Sequence, residues 1–210
     1  MRQTSAHART GTEPPMCSSG TEEIQNLAAG DATQSSTLAV PPGWIYEPNE
    51  DNSARLSLGT TGSNPLICFG VNPSTAVPGD LDQTLKRVQG YAARNQFDSW
   101  LMFNLYPQRS TDPDEMHSAY VPVLKAQNEK RIAEYINGRP LTLLAAWGDL
   151  ILHRPYLSKM LADIVRITDA SSCNWISIGG LTAKGHPRHP SRGAYAPFQP
   201  FDMKAYLQRL

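Results

Sequence analysis

Four short apolar runs, Leu66 to Val71, Trp100 to Leu105, Leu141 to Trp147 and Trp175 to Ile178, punctuate this chain, each ending in a turn rich in Asn, Gly or Pro. Runs that are apolar at nearly every position suit strands buried on both faces of a sheet. Between the first two, Leu85, Val88, Tyr91 and Ala92 recur at spacings of three and four, which predicts a helix over Asp80 to Arg94 with Asp82 available to cap it. Leu124 to Ile136 has the same amphipathic spacing and closes at Asn137-Gly138. Leu150 to Ile167 reads as a third helix that Pro155 interrupts or shifts, and Asp202 to Leu210 as a short terminal one. Strand and helix alternate, so the expected fold is α/β: a three-layer α/β/α sandwich around a mostly parallel four-stranded sheet.

The domain starts near residue 41. Trp44, Ile45 and Tyr46 can cover a sheet edge, and Ala54 to Leu58 alternates as a half-buried strand does. Residues 1–40 are rich in Thr, Ser, Gly and Ala and cannot readily bury a core; they read as a mobile tail, with one short helix near Glu22 to Ala29. With 40% apolar residues, residues 41–210 are enough for one domain. The net charge is zero, which argues against indiscriminate binding of polyanions. It divides, however, into −4 over residues 1–60 and +4 over residues 61–210, and that excess permits a local basic groove. Cys17, Cys68 and Cys173 are scattered and odd in number, so neither a disulfide framework nor a zinc ribbon is expected, and a reducing cytoplasm fits best. No segment has the length of an apolar membrane span or of a signal-peptide core. The oligomeric state is open.

The chemistry-bearing residues lie in the turns. Gly70, Val71, Asn72, Pro73, Ser74 and Thr75 leave the first strand, where Gly permits close approach to a ligand and Pro stiffens the exit; Asn72 equally suits a plain Asn-Pro turn. Asp82 either caps the helix or helps activate water. Asn104 ends the second strand with a donor and an acceptor, as reading a base edge requires, or else satisfies loop backbone. Arg109 is a phosphate ligand or a partner of Asp112 or Asp114. The densest cluster runs from Lys184 to Arg192, with His186, Arg188, His189 and Ser191 stiffened by Pro187 and Pro190. It suits a phosphate or an electron-rich leaving group, or is a solvated basic loop. Neither histidine has the carboxylate or Cys companions of a metal site, and nucleophile-elbow, P-loop and dinucleotide-binding motifs are absent.

Four of these strings, in this order, resemble the motifs of the uracil-DNA glycosylase superfamily. They are Gly70-Val71-Asn72-Pro73, Leu101-Met102-Phe103-Asn104, Ala146-Trp147-Gly148 and His189-Pro190-Ser191. Closer still is the similarity to a bacterial family of unassigned function. That family is marked by Asn72-Pro73-Ser74-Thr75-Ala76, Asn104-Leu105 followed by Arg109 and Thr111-Asp112-Pro113, then Ala146-Trp147-Gly148, and Gly185-His186-Pro187-Arg188-His189-Pro190. The glycosylase resemblance implies excision of a mispaired or modified base flipped out of DNA, for repair or for defence against modified foreign DNA, with no cofactor. Asn72 would orient water, His189 stabilise charge on the departing base and Asn104 read its edge. Ser74 and Thr75 would shape the pocket, and Arg109, Lys184, Arg188, Ser191 and Arg192 would meet DNA. His186 is the alternative to His189, because the chain holds two His-Pro pairs.

Two departures bear on the chemistry. The superfamily's most efficient members carry Asp where this chain has Asn72, and an amide cannot titrate as a general base. Ser74 stands where those members place a Tyr that excludes 5-methyl groups, which leaves room for a larger base. No four-Cys set exists for an iron–sulfur cluster. Two other readings stay open: a non-catalytic nucleic-acid or nucleotide-binding module, and an enzyme acting on free nucleosides or nucleotides.

Overall fold

The computed structural model describes residues 40–210, and the helix expected near Glu22 to Ala29 lies outside them. Among the described residues, seven strands and four α-helices follow in the order β1 (Trp44–Pro48), β2 (Arg55–Thr60), β3 (Pro65–Gly70), α1 (Gln83–Arg94), β4 (Ser99–Asn104), α2 (Pro122–Ile136), β5 (Thr142–Ala145), α3 (Tyr156–Asp169), β6 (Asn174–Ile178), β7 (Phe198–Pro200) and α4 (Met203–Gln208). They build an α/β domain on one mixed sheet of strand order β1-β2-β4-β3-β5-β6-β7.

The four strands read from the apolar runs form a contiguous parallel block, β4-β3-β5-β6. The sheet is nonetheless larger than the four strands expected, because β2 adds antiparallel to β4, β1 to β2 and β7 to β6. Both outer strands contain a proline, Pro48 in β1 and Pro200 in β7, as edge positions tolerate.

Every residue of β3 and β4 is buried. Alternate side chains enter two separate cores. Ile67, Phe69, Leu101 and Phe103 pack with Ile132 of α2, Leu161 of α3 and Tyr206 of α4. Leu66, Cys68 and Met102 pack with Leu85, Val88 and Tyr91 of α1. Each such apolar side chain stabilises the fold by roughly 1.5–3 kcal/mol.

The helix boundaries follow their caps. Asp82 accepts the Leu85 N–H at 2.8 Å, so α1 begins after it rather than at Asp80. Asn137, in the left-handed region at φ +35°, ends α2. Pro155 splits the third expected helix into a 3₁₀ turn, Gly148–Leu152, and α3. The expected strand Leu141 to Trp147 stops at Ala145, and Trp147 and Gly148 lead into that 3₁₀ turn. No helix among the described residues is long and apolar enough to cross a membrane.

Candidate functional site

Because β3 to β6 are parallel, their C-terminal ends share one edge of the sheet: Gly70 lies beside Asn104, and Phe69 beside Ala145. Clefts of α/β sheets form at such an edge. Two turns stay joined beyond the strands there. Leu105 N–H donates to Gly70 O, Tyr106 N–H to Val71 O and Ser110 N–H to Pro73 O, each at 2.9 Å.

Asn72 turns its amide N–H donors toward backbone, to Ser110 O at 2.9 Å and Pro73 O at 3.3 Å. Ser74 donates its hydroxyl to Asp82, so that carboxylate caps α1 and ties down the Asn72 turn together. Val71 and Pro73 are buried, and Thr75 is exposed. Arg109 is not directed at solvent phosphate, nor at Asp112 or Asp114. Its guanidinium donates to Ser74 O at 2.6 Å and to Tyr46 Oη at 2.8 Å. Arg55 does the same from β2, reaching Ala76 O at 2.9 Å while only 2% exposed. Burial pushes its pKa down to about 10, with Arg109 adding to the effect and Asp82 opposing it. The Asn72 turn is thus held by two arginines through its carbonyls.

Asn104 is 1% exposed, and neither atom of its side-chain amide has a hydrogen-bond partner among the described residues. The group sits against Gly70: a Cβ there would lie 2.5 Å from Met102 Cε and 3.0 Å from Asn104 Oδ1. A buried amide left unmatched costs about 1–3 kcal/mol. Native folds rarely retain one without a bound water or ligand to meet it.

The two His-Pro pairs have different surroundings. His186 is buried, and its Nδ1 lies 2.8 Å from Tyr206 Oη. Trp147 Nε1–H also donates to that hydroxyl, at 3.0 Å, leaving the Tyr206 proton for His186. His186 therefore fastens the turn to α4. His189 is half-buried, with Nδ1 2.8 Å from Ser191 Oγ and 3.4 Å from the Ser191 N–H. A backbone N–H can only donate, so Nδ1 is the acceptor and the neutral ring carries its proton on Nε2. Burial, and after it Arg192, lowers the His189 pKa below the usual histidine value, with Asp82 pulling the other way. The ring is neutral at pH 7.

His189 lines a cavity of about 650 Å³ together with Lys184, Arg188, Ser191, Arg192 and the turn after β5. That turn contributes Trp147, Gly148 and three features absent from the sequence reading: Asp149, which accepts from Thr182 at 2.6 Å, the exposed Leu150 and Leu152, and His153. Only the string Ala-Trp-Gly marked it. Gly70 to Thr75, Asp82, Asn104, Arg109 and His186 do not line this cavity. The link between the two halves is α1, whose Asp82 holds Ser74 and acts on His189, and whose Arg87 Nε donates to Pro190 O at 3.1 Å. Among the described residues no three His, Cys, Asp or Glu side chains are grouped to hold a metal ion.

Gly148 carries a local requirement of its own. Its φ is +61°, and a Cβ would sit 3.3 Å from His189 Cβ. Gly148→Ala is expected to destabilise the fold by about 1–2 kcal/mol from the left-handed backbone alone. A thermal melt should show a drop of a few degrees.

Comparison with curated proteins and with solved structures gives no match. The family described as "Protein of unknown function (DUF1643)" matches residues 55–191, from the first residue of β2 through Ser191 of the His189 turn. Since that stretch spans most of the chain, both joined turns and all but the last residue of the cavity wall, the protein belongs to this family.

Proposed function

We propose that the protein hydrolyses the N-glycosidic bond of a base extruded from DNA, as a DNA glycosylase does. The observation that carries the reading is the cavity in which a neutral His189 stands beside Lys184, Arg188 and Arg192. Its size is in the range of small-molecule sites. Cations at its wall suit the phosphates that flank an extruded nucleotide, and a neutral Nε2–H suits a base leaving with negative charge. Further support comes from Asn104, a buried amide with a free donor and a free acceptor at the same sheet edge.

The two cores are read as the faces of a three-layer α/β/α sandwich built on the β4-β3-β5-β6 block. Of the four strings that resemble the uracil-DNA glycosylase superfamily, Ala146-Trp147-Gly148 and His189-Pro190-Ser191 contribute to the cavity wall, and Gly70 to Pro73 and Leu101 to Asn104 end the neighbouring strands outside it. The proposed step needs the extruded sugar to reach past the cavity wall to the Asn72 turn, where Asn72, its N–H donors fixed on backbone carbonyls, accepts from water through Oδ1 and orients it. The water oxygen bonds to the sugar carbon as the carbon–nitrogen bond breaks, its electron pair going to the base, where His189 stabilises it. A proton released from the water to solvent balances the one that the base takes up. No metal or cofactor takes part in this step.

The test is abasic-site formation in oligonucleotides carrying uracil, mismatched thymine, hypoxanthine, or hydroxymethylated or glucosylated cytosine. Release of base from one of them is expected. Release from free nucleosides or nucleotides alone would transfer the reading to a nucleoside or nucleotide enzyme. Binding without release from any substrate would leave a binding module. DNA affinity is expected to fall with salt, and removing Lys184, Arg188 and Arg192 together to reduce the log–log slope by about 2.7 if each meets one duplex phosphate. Titrations at several salt concentrations measure it.

A further inference from the structure

We propose that Arg87 is a positioning residue, clamping the His189 turn onto the helix that also holds the Asn72 turn, so that α1 sets the spacing between the two halves of the site. One side chain makes three contacts with the segment that follows His189. Arg87 Nε donates to Pro190 O at 3.1 Å and Nη2 to Gly193 O at 2.9 Å, and the guanidinium lies 3.9 Å from the centroid of the Tyr195 ring. Arg94, two turns further along α1, stacks on the same ring at 3.8 Å. Tyr91 from the helix meets Tyr195 edge-on, with centroids 4.7 Å apart, and its hydroxyl accepts the Ala196 N–H at 3.3 Å. Residues 190–196 are therefore laid along α1, with Arg87 as the contact nearest His189.

The other end of the helix is fixed independently. Asp82 caps α1 and receives the Ser74 hydroxyl, so the Asn72 turn is referenced to the first residue before the helix. Arg87 lies five positions after Asp82, about 7.5 Å of helix rise. A rigid rod of that length between two anchored loops leaves the spacing to be set by backbone geometry rather than by loop conformation. A planar guanidinium suits this task, because it makes two directed bonds and stacks at the same time, which an ammonium cannot do.

The catalytic part of the inference rests on the glycosylase reading; the clamp itself does not. Arg87→Ala is expected to lower kcat of base release by between about tenfold and a hundredfold, with KM little changed, because a small misplacement of a reacting group has that effect. Arg87→Lys should recover part of the rate. The independent readout is NMR of the His189 ring nitrogens in ¹⁵N-labelled full-length protein. In Arg87→Ala, the Nδ1 and Nε2 shifts should move and the titration should return toward the ordinary histidine value. Arg192 and Asp82, the charged groups that act on the ring, remain in place. Should Arg87→Ala fail to fold, Tyr195→Ala removes the stack from an exposed position and is expected to move the same signals by less. Unchanged His189 shifts and titration in either folded variant would overturn the proposal, including the case in which only the melting temperature falls. If the wild-type protein releases no base but the Arg87→Ala signals move, the glycosylase reading fails and the clamp stands.

Discussion

His189→Ala is expected to lower base release by about 10²–10⁴-fold, the usual contribution of one positioned acid–base or charge-stabilising group. The protein should still fold, because among the described residues the His189 ring is bonded only to Ser191 of its own turn, whereas His186 is tied to α4 through Tyr206. Single-turnover cleavage measures the loss, and circular dichroism checks the fold. DNA affinity should change little in the same variant, since Lys184, Arg188 and Arg192 remain. A variant that keeps full activity would remove His189 from the mechanism.

The same residue sets a pH dependence of stability. Both His186 and His189 have folded pKa values below the usual histidine value, chiefly through burial. As pH falls through about 6.5, the unfolded chain takes up these protons before the folded one does, so stability decreases. It stops decreasing once the folded rings are themselves protonated. Urea midpoints at pH 7.5 and 5.5 should therefore differ, with the higher at pH 7.5, and His189→Gln should narrow the difference.

Asn104→Val is expected to separate stability from recognition. The side-chain amide is shielded from water and bonds to nothing among the described residues, so removing it relieves about 1–3 kcal/mol of unmet desolvation. Valine is branched, suits a strand end and is shorter than the amide, so it does not reach Gly70 as Oδ1 does. Unfolding midpoints should rise or hold. On the glycosylase reading discrimination among bases should also fall, because Asn104, although outside the cavity lining, is the amide that reading assigns to the base edge. A marked destabilisation would mean that the amide is satisfied within the fold, by bound water, and is not held in reserve for a ligand.

The sheet's parallel block was legible because β3 and β4 are buried at all positions, which leaves the run Leu66 to Val71 no polar face to disguise it. Asp82 was legible as a cap for an equally local reason: its acceptor lies three residues from the N–H that it binds. The errors share the opposite property. β7 has three residues and no buried one, too short to show a period. Arg109, expected to meet phosphate or a nearby carboxylate, instead reaches Ser74 O and Tyr46 at sequence separations of 35 and 63. The two His-Pro pairs are alike as strings. What divides them is Tyr206, 20 residues beyond His186, a contact that no local pattern encodes. The clasp of Arg87 spans more than 100 residues and was invisible for the same reason.

The bonds from Leu105, Tyr106 and Ser110 back to Gly70, Val71 and Pro73 continue the sheet's ladder past the end of its strands. The two turns are therefore stitched into one unit beside the cavity, and neither can shift without the other. Adaptation to guests of different bulk falls instead to the cavity's own Gly148–Leu152 turn, which Asp149 ties to Thr182 while Leu150 and Leu152 stand in water.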